Sequence, residues 1–258
     1  MLSPAQLLFG AGAGSLVGFS LGLVGGGGSI LAVPLLIYGV GLHDTHLAIG
    51  TSACAVALSA LANLFGHARR GHVRWSAAAL FSAIGVIGAW AGSTIGKATG
   101  ERNLLIFFAL ALVAAAFSML WRGEKTPTDE TGARLSPRWR LAIAGGATGA
   151  LAGFFGIGGG FLIVPALVAA TGMPIIEAIG SSLMAVTAFG LTTAINYAIS
   201  GWVDWPLAIA FVAGGIVGGM LGSRSALWLS RYRGALNLVF AAVLMSTAAY
   251  LIIRVLRG

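Results

Sequence analysis

The sequence contains few charged residues and one cysteine. Charged side chains make up 9% of its 258 residues, whereas a soluble domain carries about 25%. With 58% hydrophobic residues, the chain could not cover a surface that faces water. The single cysteine, Cys54, excludes an internal disulfide and a metal site built from cysteines. Soluble globular proteins and disulfide scaffolds are therefore excluded.

Acidic residues are scarcer than basic ones. The chain has 7 Asp and Glu against 15 Lys and Arg, and its net charge is +8. The basic residues lie between apolar runs or at their ends, which is typical of membrane topology signals. We therefore expect a lipid bilayer and no nucleic acid as the partner. No charged residue lies in mid-span; Glu177 comes closest, and we expect it to cap a helix.

The spans lack the side-chain pairs that catalysis and ion coupling use. No histidine–carboxylate or serine–base pair lies within them, so we expect neither an enzyme nor a cofactor. Ion-driven pumps often keep a buried carboxylate, and none is evident here. An anion leaving a negative-inside cell needs none, because the membrane potential supplies about 2.3 kcal/mol per charge per 100 mV.

Apolar stretches of roughly 20 residues, each long enough to cross a bilayer, recur along the chain. They predict an all-α polytopic protein, integral to the plasma membrane (the inner membrane of a bacterium). The N-terminus lacks the basic start of a secretory signal, so we expect the first span to be retained. The predicted helices cover 4–23, 28–40, 45–67, 73–98, 102–121, 138–154, 159–172, 174–200, 203–229 and 233–254.

The sequence contains an internal repeat. GLVGGGGSILAVPLL at 22–36 matches GFFGIGGGFLIVPAL at 153–167, 131 positions later. At an offset of 130, AIGTS matches AIGSS, GHVRW matches GWVDW, and GVIGAWAGS matches GIVGGMLGS. Four matches in the same order indicate an internal duplication. We divide the chain into a first transmembrane repeat (1–121), a polar cytoplasmic linker (122–140) and a second repeat (141–258).

The paired loops carry opposite charges. The first contains Arg69, Arg70 and Arg74, whereas the second contains only Asp204. By the positive-inside rule, equivalent loops then lie on opposite sides of the membrane. This predicts inverted repeats of about five helical segments each. A parallel arrangement of four crossings in each half stays open.

The duplicated glycine cluster beside a proline predicts a break in a membrane helix. The short helix after each break, with about 12 residues, reaches about 18 Å. It is either a half-membrane helix or the tilted continuation of a broken one. Two helix N-termini converging near the midplane would bind an anion through backbone amides; the alternative is a corner that only packs helices. The candidate residues are Gly27, Gly28, Ser29, Gly158, Gly159 and Gly160.

Polar residues of the two following helices complete the candidate site. Thr51, Ser52, Ser181 and Ser182 carry hydroxyls that either contact the anion or bond to their own helix carbonyls. Deeper polar residues either line a pathway or lie at an interface. We expect no metal, because the loop HDTH at 43–46 has no ligand beyond its two imidazoles and one carboxylate. We expect this loop to be solvated. The candidate pathway residues are Asn63, His67, Asn196 and Tyr197.

The glycine break (Gly22 to Pro34 and Gly153 to Pro165), the G-[TS]-S segments and the GxVxW loops resemble the TauE/SafE family of sulfite exporters. The resemblance covers about residues 10–255. It implies a permease for small sulfur-containing anions such as sulfite or organosulfonates. Ser29 stands where the second break has Gly160, so the two half-sites differ. A passive anion channel and a carrier of another small solute stay open, as does a homodimer.

Overall fold

The computed structural model describes residues 3–100, 103, 104, 106, 107, 110, 137–156 and 160–229. Within these residues every regular element is helical, and eight α-helices are present. The helices are α1 (Pro4–Val24), α2 (Ala32–Pro34), α3 (Thr45–Arg69), α4 (Trp75–Ala98), α5 (Pro137–Phe155), α6 (Gly160–Thr171), α7 (Ile175–Ile199) and α8 (Trp205–Leu229).

Five of these helices are long and apolar enough to cross a membrane: α1, α3, α4, α7 and α8. Large apolar side chains such as Leu8, Ile87 and Ile209 point away from the protein, as lipid-facing residues do. The predicted helix 233–254 lies outside the described residues, and only five residues of the predicted helix 102–121 are described. The linker is described only from residue 137.

Local sequence signals set the helix ends. Ser3 and Gln6 form a capping box at the start of α1, with a proline in the first turn. Asp44 caps α3 by accepting from the backbone N–H groups of His46 and Leu47. This side chain, in the loop that we expected to be solvated, therefore has a structural role.

Glycines in the left-handed region occupy equivalent positions in the two halves. The described residues with positive φ are all glycines, and they form three pairs. In each pair the second member follows the first by 131 or 130 residues, and the pair marks the end of the same segment. The duplication therefore extends to the backbone geometry of the turns. The pairs are Gly25 and Gly156, Gly41 and Gly172, and Gly71 and Gly201.

Glycine stripes join two parallel helix pairs. Along α1 and α8, a Cβ on Gly14 would overlap the carbonyl of Phe211, and one on Gly18 would overlap that of Gly215. The contacts between α4 and α5 follow the same pattern along both helices. The first is at Gly145, where a Cβ would overlap the carbonyl of Phe81. Residue numbers rise together in both pairs, so each pair is parallel. Glycines four residues apart, such as Gly14 and Gly18 in α1, allow this close approach.

The two central helices, α3 and α7, run in opposite directions. Near the start of α3, Gly50 lies against the carbonyl of Trp202, in the loop that follows α7. Near the start of α7, Gly180 lies against the carbonyl of His72, in the loop that follows α3. The helices cross where Gly190 contacts Ala57 and Ala53. They are the most buried of the five candidate spans.

After the first glycine cluster the chain turns back along α1. A 3-10 segment covers Gly25–Leu31, and a π-helical turn at Leu35–Gly39 follows α2. Gly28 packs against the backbone of Ser20 and Leu21. Farther on, the Gln6 side chain donates to the carbonyl of Val40 at 3.3 Å.

This return path differs from both arrangements expected for the segment. Because a 3-10 segment rises about 2 Å per residue, the path from Gly25 to Val40 covers about 25 Å. It therefore runs beside almost the whole length of α1 rather than stopping halfway. The positive φ of Gly25 reverses the chain, so the path does not continue the direction of α1.

Candidate functional site

The first glycine break is buried and contacts the opposite half of the protein. The backbone N–H of Gly26 donates to the Ser182 hydroxyl at 3.1 Å. A Cβ on Gly25 would lie 2.7 Å from the same hydroxyl and 3.0 Å from the carbonyl of Ile179. The break thus meets the G-S-S segment of α7 through backbone groups, without a basic side chain.

Ser29 forms a hydrogen bond within the first break. Its hydroxyl donates to the carbonyl of Gly26 at 2.8 Å, and its side chain is fully buried. Gly27 lies in the 3-10 segment, and Gly28 packs against α1. The candidate residues of this break therefore lie in one short segment between α1 and α7.

The second break makes the reciprocal contact. A Cβ on Gly156 would overlap Ile49 of α3, and Ile49 is the repeat equivalent of Ile179. Gly160 begins α6, which packs against the 3-10 segment of the first half. Gly158 and Gly159 lie outside the described residues. Each break is thus placed against the long central helix of the other half.

The two breaks lie on opposite sides of the crossing between α3 and α7. Gly25 contacts α7 near Ser182, eight residues before Gly190, while Gly156 contacts α3 before Ala53. At 1.5 Å per residue, these contact points are separated by about 20 Å along the helix axes. The contacts of Gly25 and Gly156 therefore do not converge on one midplane point, in contrast to the expectation.

Thr51 and Ser181 each accept a hydrogen bond from a loop of the other half. The Thr51 hydroxyl accepts from the N–H of Asp204 at 2.9 Å, just before α8 begins. The Ser181 hydroxyl accepts from the N–H of Arg74 at 2.9 Å, just before α4 begins. Both side chains are fully buried. Each hydroxyl accepts this hydrogen bond through a lone pair, so its own proton remains available for donation.

Ser52 and Ser182 bond back to their own helices, the alternative weighed from the sequence. Ser52 donates to the carbonyl of Ile49 at 2.9 Å, and Ser182 donates to that of Ile179 at 2.7 Å. A hydroxyl has only one proton. Either serine must rotate away from its helix before it can donate to an anion.

The candidate pathway residues His67 and Tyr197 are repeat equivalents, and both are buried. His67 is 1% exposed and Tyr197 is 0% exposed. His67 Nε2 lies 3.4 Å from the carbonyl of Gly22, close to the first break. Among the described residues, neither His67 Nδ1 nor the Tyr197 hydroxyl has a hydrogen-bond partner. Buried polar atoms are usually paired, so these two are unusual.

Asn63 and Asn196 differ in their surroundings. The Asn63 amide donates to the carbonyl of Ser59 within α3 and packs against Gly219. Asn196 instead joins α7 to α4, where its amide donates to Ser93 at 2.6 Å. Its position is therefore fixed by the neighbouring helix.

Sequence reasoning missed a cluster around Asn196, which we call the Trp202 cluster. Lys97 donates to the backbone and side-chain oxygens of Asn196 at 3.0 and 3.1 Å. The same ammonium lies 5.8 Å from the centre of the Trp202 ring. His46 stacks on Trp202 with 4.8 Å between ring centres, and Tyr197 lies 5.9 Å away. These residues are far apart in sequence, so no motif indicates the cluster.

An ion pair joins the two halves at the other end of α3. Arg74 contacts the carboxylate of Glu177 in the first turn of α7. Glu177, which we expected to cap a helix, instead pairs with Arg74 in the loop before α4; among the described residues no side-chain hydrogen bond caps the start of α7. Among the described residues, no three His, Cys, Asp or Glu side chains are grouped in a way that could hold a metal ion.

Comparison with known proteins gives a family and several relatives. The family model of the sulfite exporter TauE/SafE matches residues 10–251. A probable membrane transporter protein of Xylella fastidiosa is 49% identical over 251 residues, covering 96% of each chain. The probable membrane transporter protein YdhB of Bacillus subtilis is 26% identical, covering 81% of this chain and 86% of its own. No solved structure matches the chain.

Proposed function

The chain belongs to the TauE/SafE family of membrane transporters, which are not enzymes, and we propose that it carries small sulfur-containing anions such as sulfite or organosulfonates. The family model covers nearly the whole chain, residues 10–251. The proposal also includes inverted repeats, an anion site at the breaks and a location in the inner membrane, the last supported by the five apolar candidate spans.

Helix directions favour inverted repeats. The parallel pairs α1–α8 and α4–α5, the antiparallel pair α3–α7 and the short loops after α3 and α7 support opposite directions for equivalent helices of the two halves. Trp75 and Trp205, which are repeat equivalents, are both exposed at the starts of the opposed helices α4 and α8. Tryptophans collect at the two membrane–water interfaces. These directions favour inverted repeats over a parallel arrangement of four crossings in each half.

One observation carries the proposed site: the Gly26 N–H donates to the Ser182 hydroxyl. A backbone amide freed at a helix break is thereby directed at the hydroxyl segment of the other half. An anion that replaced this hydroxyl as acceptor would accept the hydrogen bond of the Gly26 N–H, and Ser182 would donate to it after rotating away from the Ile179 carbonyl. Ser52 would serve the second break in the same way, beside Ile49.

The chemistry of the site suits an anion that must be released again. The breaks supply amide dipoles rather than a full positive charge, so a bound oxyanion is stabilised without a tight ion pair. Membership in the family of the sulfite exporter TauE/SafE supports a sulfur-containing substrate. We propose that the remaining candidates on the central helices also line the path of the anion, namely Thr51, Ser181, Asn63, His67, Asn196 and Tyr197.

Thermal stability in detergent tests the substrate class. We expect sulfite or a small sulfonate to raise the melting temperature of the purified protein in a concentration-dependent way, because a ligand that binds only the folded state stabilises it. Chloride at equal ionic strength is the matched control. If no sulfur oxyanion shifts the melting temperature beyond chloride, the proposed substrate class is wrong.

Counterflow in proteoliposomes separates a transporter from a passive anion channel. Vesicles preloaded with unlabelled sulfite should accelerate the entry of labelled sulfite, because a carrier returns faster when it is loaded. An open channel shows no such stimulation. Equal entry into loaded and empty vesicles would favour the channel alternative.

A further inference from the structure

A buried imidazole contacts the end of α1 at the first glycine break. His67 lies in the last turn of α3, and its Nε2 lies 3.4 Å from the carbonyl oxygen of Gly22. Gly22 belongs to the last turn of α1, whose carbonyls have no N–H partner within the helix. Because a carbonyl only accepts hydrogen bonds, Nε2 carries the proton in this contact. Nδ1 is then the nitrogen that can take up a second proton.

A second imidazole connects His67 to the surface of the protein. The ring centres of His72 and His67 lie 6.0 Å apart. The backbone N–H of His72 donates to the carbonyl of His67 at 3.1 Å, so the loop after α3 folds back over the end of the helix. His72 is partly exposed, whereas His67 is buried. The two rings therefore form a path from the loop to the break.

His67 also ends a polar stripe along α3. Ser59, Asn63 and His67 are spaced by four residues and are all buried. A Cβ on Gly215 of α8 would overlap Ser59, and one on Gly219 would overlap Asn63. The stripe therefore faces the glycine-lined pair of α1 and α8, where the first break begins.

The second half contains no imidazole at the equivalent positions. By the offset of 130, His67 corresponds to Tyr197 and His72 to Trp202. Those two rings keep a similar spacing, with 5.9 Å between their centres. An imidazole binds a proton near neutral pH, whereas a phenol and an indole do not. Only one end of the α3–α7 pair therefore combines this ring pair with groups that can take up a proton.

The charges at this end of α3 oppose protonation of His67 in the absence of an anion. Arg74 and Glu177 pair with each other. The other groups are basic, and like charges disfavour an imidazolium. In the described part of the chain, α1 and the 3-10 segment contribute no titratable group. The charged or titratable groups at this end of α3, of its loop and of the packed helices α7 and α8 are Arg69, Arg70, His72, Arg74, Glu177 and Arg224.

An anion at the first break would reverse this balance. The Gly26 N–H, which donates to Ser182, follows Gly22 by four residues, a rise of about 6 Å. A negative charge at about this distance favours a protonated imidazole. Protonation also strengthens the hydrogen bond from Nε2 to the Gly22 carbonyl, because charged donors bond more strongly. Anion binding and proton binding then favour each other reciprocally.

We propose that His67 is a proton-binding site coupled to the anion at the first break. Nδ1 takes up one proton from solvent, past His72, as the anion binds, and it returns that proton to solvent as the anion leaves. Nε2 keeps its own proton throughout. The proton therefore crosses the membrane with the anion, and an imidazole replaces the buried carboxylate that the spans lack. This inference rests on the proposed function, because its anion is the transported one.

Transport of radiolabelled methanesulfonate into proteoliposomes tests the coupling, because this sulfonate stays a monoanion at every pH used. With equal pH on both sides, the half-saturating concentration of the wild type should rise about tenfold between about pH 5 and pH 8. A pH-sensitive dye inside the vesicles should report acidification during uptake, with potassium and valinomycin holding the membrane potential at zero.

His67→Gln should lose both signals, because glutamine keeps an N–H for the Gly22 carbonyl but does not titrate. His43→Gln is the matched control: it makes the same change at an exposed imidazole before the other end of α3 and should behave like the wild type. Acidification and pH dependence that persist in His67→Gln would overturn the proposal.

Calorimetry replaces transport if His67→Gln is not recovered folded by size-exclusion chromatography. Methanesulfonate binding in buffers of different ionisation enthalpy gives the number of protons taken up per anion. About one proton in both the wild type and His72→Gln supports the assignment to His67. No uptake in the wild type overturns it, and so does an uptake that disappears in His72→Gln.

The wild-type protein separates this inference from the proposed function. If it transports neither sulfite nor methanesulfonate, the proposed substrate class fails, and the coupling fails with it. If it transports a sulfur anion without proton movement, only the coupling fails. If sulfite is the one anion carried, proton uptake per sulfite is compared between the wild type and His67→Gln, since the acid–base chemistry of sulfite itself is the same in both; equal values overturn the coupling.

Discussion

The Thr51 hydroxyl accepts a hydrogen bond from the backbone N–H of Asp204 at 2.9 Å, across the two halves of the protein. Ser181 does the same for Arg74, also at 2.9 Å. Each hydroxyl lies near the start of α3 or α7 and bonds the loop just before α8 or α4, respectively, in the other half. The duplicated G-[TS]-S segments therefore join the halves as well as lying near the breaks.

Removing either hydroxyl should destabilise the protein. Thr51→Val and Ser181→Ala each leave a loop N–H without its acceptor, at a cost of about 1–3 kcal/mol. Both should lower the melting temperature in detergent by similar amounts. Ser225→Ala is the control, because that exposed hydroxyl only bonds the carbonyl of Leu221 in its own helix. If the control lowers the melting temperature as much as the other two, the cross-half bonds contribute nothing.

Gly25→Ala tests the packing of the first break against α7. Gly25 and Gly41 both have positive φ, so alanine costs about 1 kcal/mol of backbone strain at either position. Only at Gly25 would the new Cβ meet Ser182 and Ile179; at Gly41 the space is open. We expect Gly25→Ala to lower both stability and transport more than Gly41→Ala does. Equal effects would show that strain alone matters.

Larger substitutions in the breaks should abolish transport. Gly28→Val places a side chain into the backbone of Ser20 and Leu21, which displaces the return segment. Gly12→Val is the control on α1, since nothing lies within 4 Å of a Cβ there. Gly159→Val tests the second break in the same assay. Sulfite transport at wild-type rates in both break variants, with normal membrane insertion, would refute the site assignment.

The glycine stripe between α4 and α5 should tolerate no methyl group at its contact positions. A Cβ on Gly92 would overlap the carbonyl of Ala150, whereas one on Gly146 would lie 3.7 Å from Ile84. Overpacking costs about 1–3 kcal/mol, so Gly92→Ala should lower the melting temperature clearly. Gly146→Ala should change it little. The reverse order would contradict the parallel packing of these helices.

Breaking the Arg74–Glu177 pair should affect stability only slightly. Half of the Arg74 side chain is exposed, and exposed pairs contribute about 0–1 kcal/mol. Glu177→Gln should therefore change the melting temperature little, and any effect should shrink as the salt concentration rises. A loss of several kcal/mol that persists at high salt would show that this pair is a structural element of the interface.

Much of the frame follows from the sequence because its signals are local or repeated. Hydropathy predicts α1, α3, α4, α7 and α8 to within a few residues, and the four-residue glycine spacing predicts close helix contacts. The capping role of Asp44 and the return of the chain along α1 were not predicted. The first depends on which backbone amides a side chain reaches, and the second on the longer rise of a 3-10 segment.

By itself, the sequence determined the duplication, the paired breaks and the membrane class, because composition and repeats need no knowledge of contacts. Only the tertiary structure decided which half each break contacts and how far apart the breaks lie. It also brought Lys97 of α4 to Asn196 of α7, 99 residues away. Packing of distant helices creates such neighbours, and no local pattern in the chain records them.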